Sequence, residues 1–160
     1  MFLKKLSKTY IMDTASVLIG VFFLLLFIFP LAWITYKQFS FQKKYSHKIK
    51  NFGREHQINF DELEVNHWSF LGIDQNQKIL AFGATNTPEN IQSLSIPDIQ
   101  HSKIILDDEH ISKTKDITIK LSGNFGVKEI SFYKDEADIT ADAAVHLYTA
   151  KKWLSYIQKA

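Results

Sequence analysis

The sequence predicts an α+β protein: one N-terminal transmembrane helix, then a small antiparallel sheet or partly open barrel, with a C-terminal amphipathic helix. Three observations predict it. An uncharged apolar run covers residues 14–36, strand-like alternation recurs between Val65 and Tyr133, and the last twenty residues carry an apolar stripe at helical spacing. The chain therefore divides into an N-terminal tail (1–13), the transmembrane helix (14–36), a basic juxtamembrane helix and linker (37–64), and a β-domain closed by a helix (65–160). Once the anchor and its flanks are set aside, roughly 100 residues remain, enough for one modest core.

The run TASVLIGVFFLLLFIFPLAWITY has no Asp, Glu, Lys or Arg. As a helix it would reach roughly 34 Å, more than a hydrocarbon core of about 30 Å. Asp13 sits where a carboxylate favours a helix N-terminus, and Trp33 and Tyr36 sit where amphipathic rings meet headgroups. Pro30 is tolerated in a membrane span, often with a kink. A buried core helix rarely runs so long without charge. A cleaved signal has an apolar stretch of only about 7–15 residues followed by a small-residue site, and no such site follows this run. The reading is an uncleaved anchor, with no intramembrane ionisable residue to suggest transport and no G-x-x-x-G to drive close dimerisation. Lys4, Lys5 and Lys8 precede the span, whereas Lys37, Lys43, Lys44, Lys48, Lys50 and Arg54 follow it. The positive excess places the C-terminal domain on the cytoplasmic side.

Residues 37–56 meet no strong helix breaker before Gly53. Phe41, Tyr45, Ile49 and Phe52 recur at spacings of four, four and three, which is one helical face. That face packs on the soluble domain, or the helix lies on anionic lipid with Lys37, Lys43, Lys44, Lys48, Lys50 and Arg54 as headgroup contacts; both can hold together. Each such cation contributes about 1 kcal/mol at an anionic surface.

Further on, Val65–Ile73 and Lys78–Ala84 flank the polar turn Asp74–Gln77 and read as a hairpin. Residues 85–90 are loop. Pro97 restricts Ile91–Ile99 to a short edge strand or a turn. Lys103–Leu106 is a short apolar strand. Ile117, Ile119 and Leu121 alternate with polar residues, the segment Ser122–Gly126 turns, and Val127–Tyr133 pairs back. The total is five to seven antiparallel strands. In the final helix Asp138 or Thr140 is the expected cap, acidic residues gather at the start and lysines at the end, as the helix dipole favours. Ala143, Leu147, Ala150, Leu154 and Ile157 form its stripe, with Trp153 beside it.

The hairpin FLGIDQNQKILAF (Phe70–Phe82), the step IPDI (Ile96–Ile99), the strand KIIL (Lys103–Leu106) and the last helix with Trp153 resemble bacterial pleckstrin-homology-like domains, small seven-stranded barrels closed by a C-terminal helix. The resemblance spans residues 65–158 as a pattern, without a signature motif. It implies a non-catalytic binding or scaffolding module, here held at the bacterial inner (plasma) membrane, with the lipid bilayer and other membrane or cytoplasmic proteins as partners. The alternative is an accessory or assembly subunit of a larger membrane complex.

Chemistry-bearing patterns are sparse. Net charge is only +2, against a dedicated nucleic-acid binder, and the absence of Cys excludes disulfides, thiolate metal sites and a Cys nucleophile. None of the six histidines stands at a ligand-pair spacing; His110, after Asp107, Asp108 and Glu109, is the one local acid–His cluster and reads as a solvated loop. Gly123 and Gly126 belong to a hairpin turn rather than a phosphate loop, and no Ser sits in a nucleophile elbow. The expectation is therefore no catalytic residue, no cofactor, no metal and no small-molecule substrate. Phe70, Phe82, Phe132 and Trp153 are expected in the core.

Overall fold

The computed structural model describes residues 14–136 and 142–160. The expectations for Lys4, Lys5, Lys8, Asp13, Asp138 and Thr140 lie outside the described residues. The chain forms two compact units, Met1–Ser40 and Phe41–Ala160. One helix, α1 (Thr14–Glu55), begins in the first and ends in the second.

In the first unit, every large apolar side chain from Val17 to Tyr36 is exposed. The mean hydropathy of the most apolar stretch is 2.8, so the helix is long and apolar enough to cross a membrane. Pro30 lies inside the helix.

The second unit is α+β. Strands β1 (Glu62–Val65), β2 (Ser69–Asp74), β3 (Ile79–Ala84) and β4 (Gln92–Ser95) form one antiparallel sheet in that order. A single 3-10 turn, Ile96–Asp98, leads to β5 (Ile99–Leu106), β6 (Asp116–Gly123) and β7 (Gly126–Lys134), a second antiparallel sheet, and then to α2 (Ala143–Lys159). The strands form two separate ladders and not a closed barrel. The main core lies where the sheets and α2 meet: Leu71, Ile73, Leu80 and Phe82 face Ile117, Ile119, Leu121 and Phe132, with Trp153 of α2 only 1% exposed.

The first sheet is covered on both sides. Its other face carries Phe70 and Ala81, which pack against Tyr45 and Ile49 of α1. This double cover explains why β2 is buried at every position and why SFLGID and ILAFGA read as continuous apolar runs rather than alternating ones. The expected one-face helix over 37–56 is thus a packed layer, with Ile49 fully buried and the Tyr45 hydroxyl donating to the Thr85 carbonyl at 3.0 Å.

The helix ends two residues beyond Gly53. Gln57 takes a left-handed conformation (φ 58°), Ile58 N–H donates to the Gly53 carbonyl at 2.8 Å and Gln57 N–H to the Arg54 carbonyl at 3.4 Å. These paired bonds satisfy the last carbonyls, with apolar Ile58 buried against the turn. Gly53 is needed for close approach and not as a breaker: a Cβ there would sit 2.7 Å from the Phe60 ring.

Several boundaries differ from expectation. The strand expected over Val65–Ile73 is two strands, because Asn66 Oδ1 accepts from the backbone N–H groups of Trp68 (2.9 Å) and Ser69 (2.7 Å) and reverses the chain. The first of them, β1, falls in what reads as linker, since ELEV carries two carboxylates on a half-buried strand. Strand β5 starts at Ile99, four residues before the expected Lys103, through a bulge between Ile99 and His101. In the β6–β7 turn only Asn124 and Phe125 leave the ladder; Gly126 takes φ 87°. The cap of α2 is Asp142, whose carboxylate accepts from Ala144 N–H at 2.8 Å. Trp153 lies at the centre of the buried face of α2 with Ala150 and Ile157, while Leu147 and Leu154 flank it.

Candidate functional site

At about 100° per residue, the packed seam Phe41, Tyr45, Ile49 and Phe52 faces one way. Lys43, His47, Lys50 and Arg54, spaced four, three and four, fall on the opposite side of α1, and all four are exposed. Three of the six expected basic residues therefore make one continuous row, joined by a histidine that the charge reading passed over. Arg54 is braced by a hydrogen bond to Asn51 Oδ1 at 2.8 Å.

The other three expected cations are placed differently. Lys44 flanks the seam, its ammonium 5.5 Å from the Tyr45 ring centroid. Lys48 is half-buried and paired with Glu89 at 2.9 Å, which ties the helix to the loop after β3. Lys37 belongs to the other compact unit, its ammonium 5.9 Å from the Trp33 ring centroid.

The acid–His cluster builds a loop. Asp107 Oδ1 accepts from Lys115 N–H at 2.8 Å and Asp116 N–H at 3.0 Å, and these donations, that of Asp116 foremost, hold its carboxyl below the usual range. Asp108 accepts from His110 N–H at 2.8 Å. Among the described residues no three His, Asp or Glu side chains converge as a metal site.

Two other titratable groups depart from their ordinary values. Burial pushes Glu64 upward, opposed by the hydrogen bond from Trp153 Nε1 (3.4 Å) and by Lys152. Burial, and then repulsion from His67, pushes His146 downward, opposed by Asp142; its ring lies edge-on to Trp68 and beside Tyr133. Both belong to the packing around Trp153 and Trp68.

A groove of about 910 Å³ opens along β5, bounded by Ile99, Ile157 and the polar side chains of Lys78, His101, Lys103 and Lys120. Sequence reading missed it, because β5 looked four residues shorter and Lys78 is far from it in the chain. The signal available was the alternation of Ile99, His101 and Lys103 leading into KIIL.

No protein-family model, curated protein or solved structure matches the chain.

Proposed function

We propose that this protein is a single-pass, membrane-anchored binding module that acts by contact rather than catalysis, its folded unit standing on the cytoplasmic face of a bacterial inner membrane. The observation that carries the reading is α1. Its stretch from Val17 to Tyr36 exposes only apolar and aromatic large side chains, and the same helix supplies Tyr45 and Ile49 to the core of the folded unit. An exposed apolar surface of that length needs lipid around it. The exposed residues Lys43, Lys50 and Arg54 are the folded unit's candidate contacts for anionic headgroups, each Lys or Arg near such a surface contributing about 1 kcal/mol. Four strands, then three, then one helix, with Trp153 at the closing contact, support a pleckstrin-homology-like arrangement. The positive excess after the span supports the cytoplasmic side.

The test is membrane retention and protease access. Membranes holding the full chain should keep it through an alkaline carbonate wash, and added protease should remove the folded unit in inverted vesicles but not in sealed spheroplasts. Release by carbonate would sink the anchor; digestion in spheroplasts would reverse the sidedness. Stable co-migration with a large assembly after mild detergent extraction would assign the module to that assembly as an accessory subunit.

A further inference from the structure

Among the described residues strand β5 is an edge: it pairs with β6 on one side and with no strand on the other. Past the bulge its register is regular, with His101 opposite Ser122, Lys103 opposite Lys120 and Ile105 opposite Thr118. Lys120 in turn stands opposite Glu129 of β7. Across the sheet this row reads Glu129, Lys120, Lys103. Glu129 pairs with Lys120 at 3.6 Å, but Lys103 stands beside a like charge, a destabilising arrangement for directly opposed residues. Among the described residues neither Lys103 nor Lys78 makes an ion pair, and no Asp or Glu lines the groove. Its apolar part includes Ile96 just before β5, Ile99 on β5, Val127 on β7 and Ile157 on α2, and Gln158 of α2 donates to the Ser102 hydroxyl at 3.3 Å, fixing the helix as one wall.

A single lysine on an edge strand serves to repel unwanted pairing. Here the lysine lies in a groove with Lys78 and His101, beside an eight-residue strand that, among the described residues, pairs with a strand on one side only. That combination selects an occupant rather than excluding all of them. We infer that β5 is a docking edge for an extended, acidic segment of a partner protein, which adds as a strand beside β5 and places a carboxylate next to Lys103. The added residue continues the row as Glu129, Lys120, Lys103, acid, so that Lys103 gains the opposite-charge neighbour that Lys120 already has in Glu129. Backbone pairing supplies affinity, and the alternate side chains over His101, Lys103 and Ile105 supply selectivity. A lipid headgroup offers the charge but not the ladder of N–H and C=O groups, which is why a peptide is the fitting class.

The proposal deepens the binding-module reading and rests on it. The test uses the full chain in neutral phosphatidylcholine nanodiscs, titrated with a labelled octapeptide alternating Glu and Val and with its Lys-for-Glu counterpart. The Glu peptide should bind, slow amide exchange over Ile99–Leu106, and weaken with salt; the Lys peptide should not bind. Lys103→Glu should weaken the Glu peptide at least tenfold and create binding of the Lys peptide, with Lys103→Gln in between. Lys103 is exposed, so both variants should melt like the parent. Absence of Glu-peptide binding, protection that maps to the Lys43–Arg54 row, equal binding of the two peptides, or indifference to Lys103→Glu would each overturn the proposal. So would capture of phosphatidylserine vesicles through Lys103 in place of the peptide. Membrane retention is measured separately, so a silent β5 removes the docking edge and leaves the anchor standing.

Discussion

Asp74 is 1% exposed and fully engaged: its carboxylate accepts from Asn59 N–H at 2.9 Å and from Gln77 N–H at 2.8 Å. It therefore closes the β2–β3 turn and fastens the segment between α1 and β1 to that turn. Asp74→Ala leaves two donors without their acceptor and should destabilise the Phe41–Ala160 unit by about 2 kcal/mol, with Asp74→Asn losing less; urea denaturation followed by tryptophan fluorescence reads both. Glu64 is a buried carboxylate of a different kind. Its pKa is raised in the folded state, so the folded chain binds a proton more readily than the unfolded chain. Its stabilising contribution is full below the unfolded value and is lost as pH rises through the folded value. Glu64→Gln keeps an acceptor for Trp153 Nε1 without the buried charge. The melting temperature of this variant should exceed that of the parent at pH 7, and the gap should close as pH falls toward 4.5. A variant that melts lower at pH 7 would refute the assignment. His146 works at a higher window: with its pKa lowered, the unfolded state takes the proton first, and stability falls as pH drops below 6.5.

At the scale of elements, the C-terminal part of α1 has two faces with separate work. The seam through Tyr45 and Ile49 holds the first sheet, and the Lys43–His47–Lys50–Arg54 row faces solvent. Changing Lys43, Lys50 and Arg54 to Gln should therefore lower binding of the Phe41–Ala160 unit to phosphatidylserine vesicles several-fold or more while leaving its melting temperature within about a degree, since exposed charges contribute little to stability. Lys48→Gln should do the reverse: little change on vesicles, and a small loss of stability from the pair with Glu89. Equal vesicle loss from both substitutions would show that total charge, and not the row, governs the contact. The face was legible from spacing alone. Which lysines remain available was not, because pairing with Glu89 depends on a loop 41 positions away.

For the whole molecule, the cores that hold the folded unit lie within Phe41–Ala160. Removing residues 1–40 should release a folded, soluble unit with its tryptophan fluorescence and cooperative melt intact. Removing residues 1–55 should not, because the cut uncovers Phe70 and Ala81 on a sheet built to be covered on both faces. That shorter chain should aggregate or bind 8-anilinonaphthalene-1-sulfonate, and a monomeric, dye-silent product would refute the account of a sheet covered on both faces.

Composition and local period determined the chain's main divisions: an uncharged apolar helix, a one-face basic helix, turns at Asp74–Gln77 and within Ser122–Gly126, and a final amphipathic helix. Those features depend on neighbours within a few positions, so the sequence expresses them directly. Tertiary structure decided the rest. Asn66 splits an apparent strand only because its side chain meets two particular amides. The charged ELEV segment becomes β1 only because β2 is there to pair with it. Trp153 moves to the centre of its helix face because the core between the two sheets lies opposite it. The row that leaves Lys103 beside Lys120 exists only through the β5–β6 register. Long-range pairing places residues that no local pattern can connect, and the proposed docking edge is made of such residues.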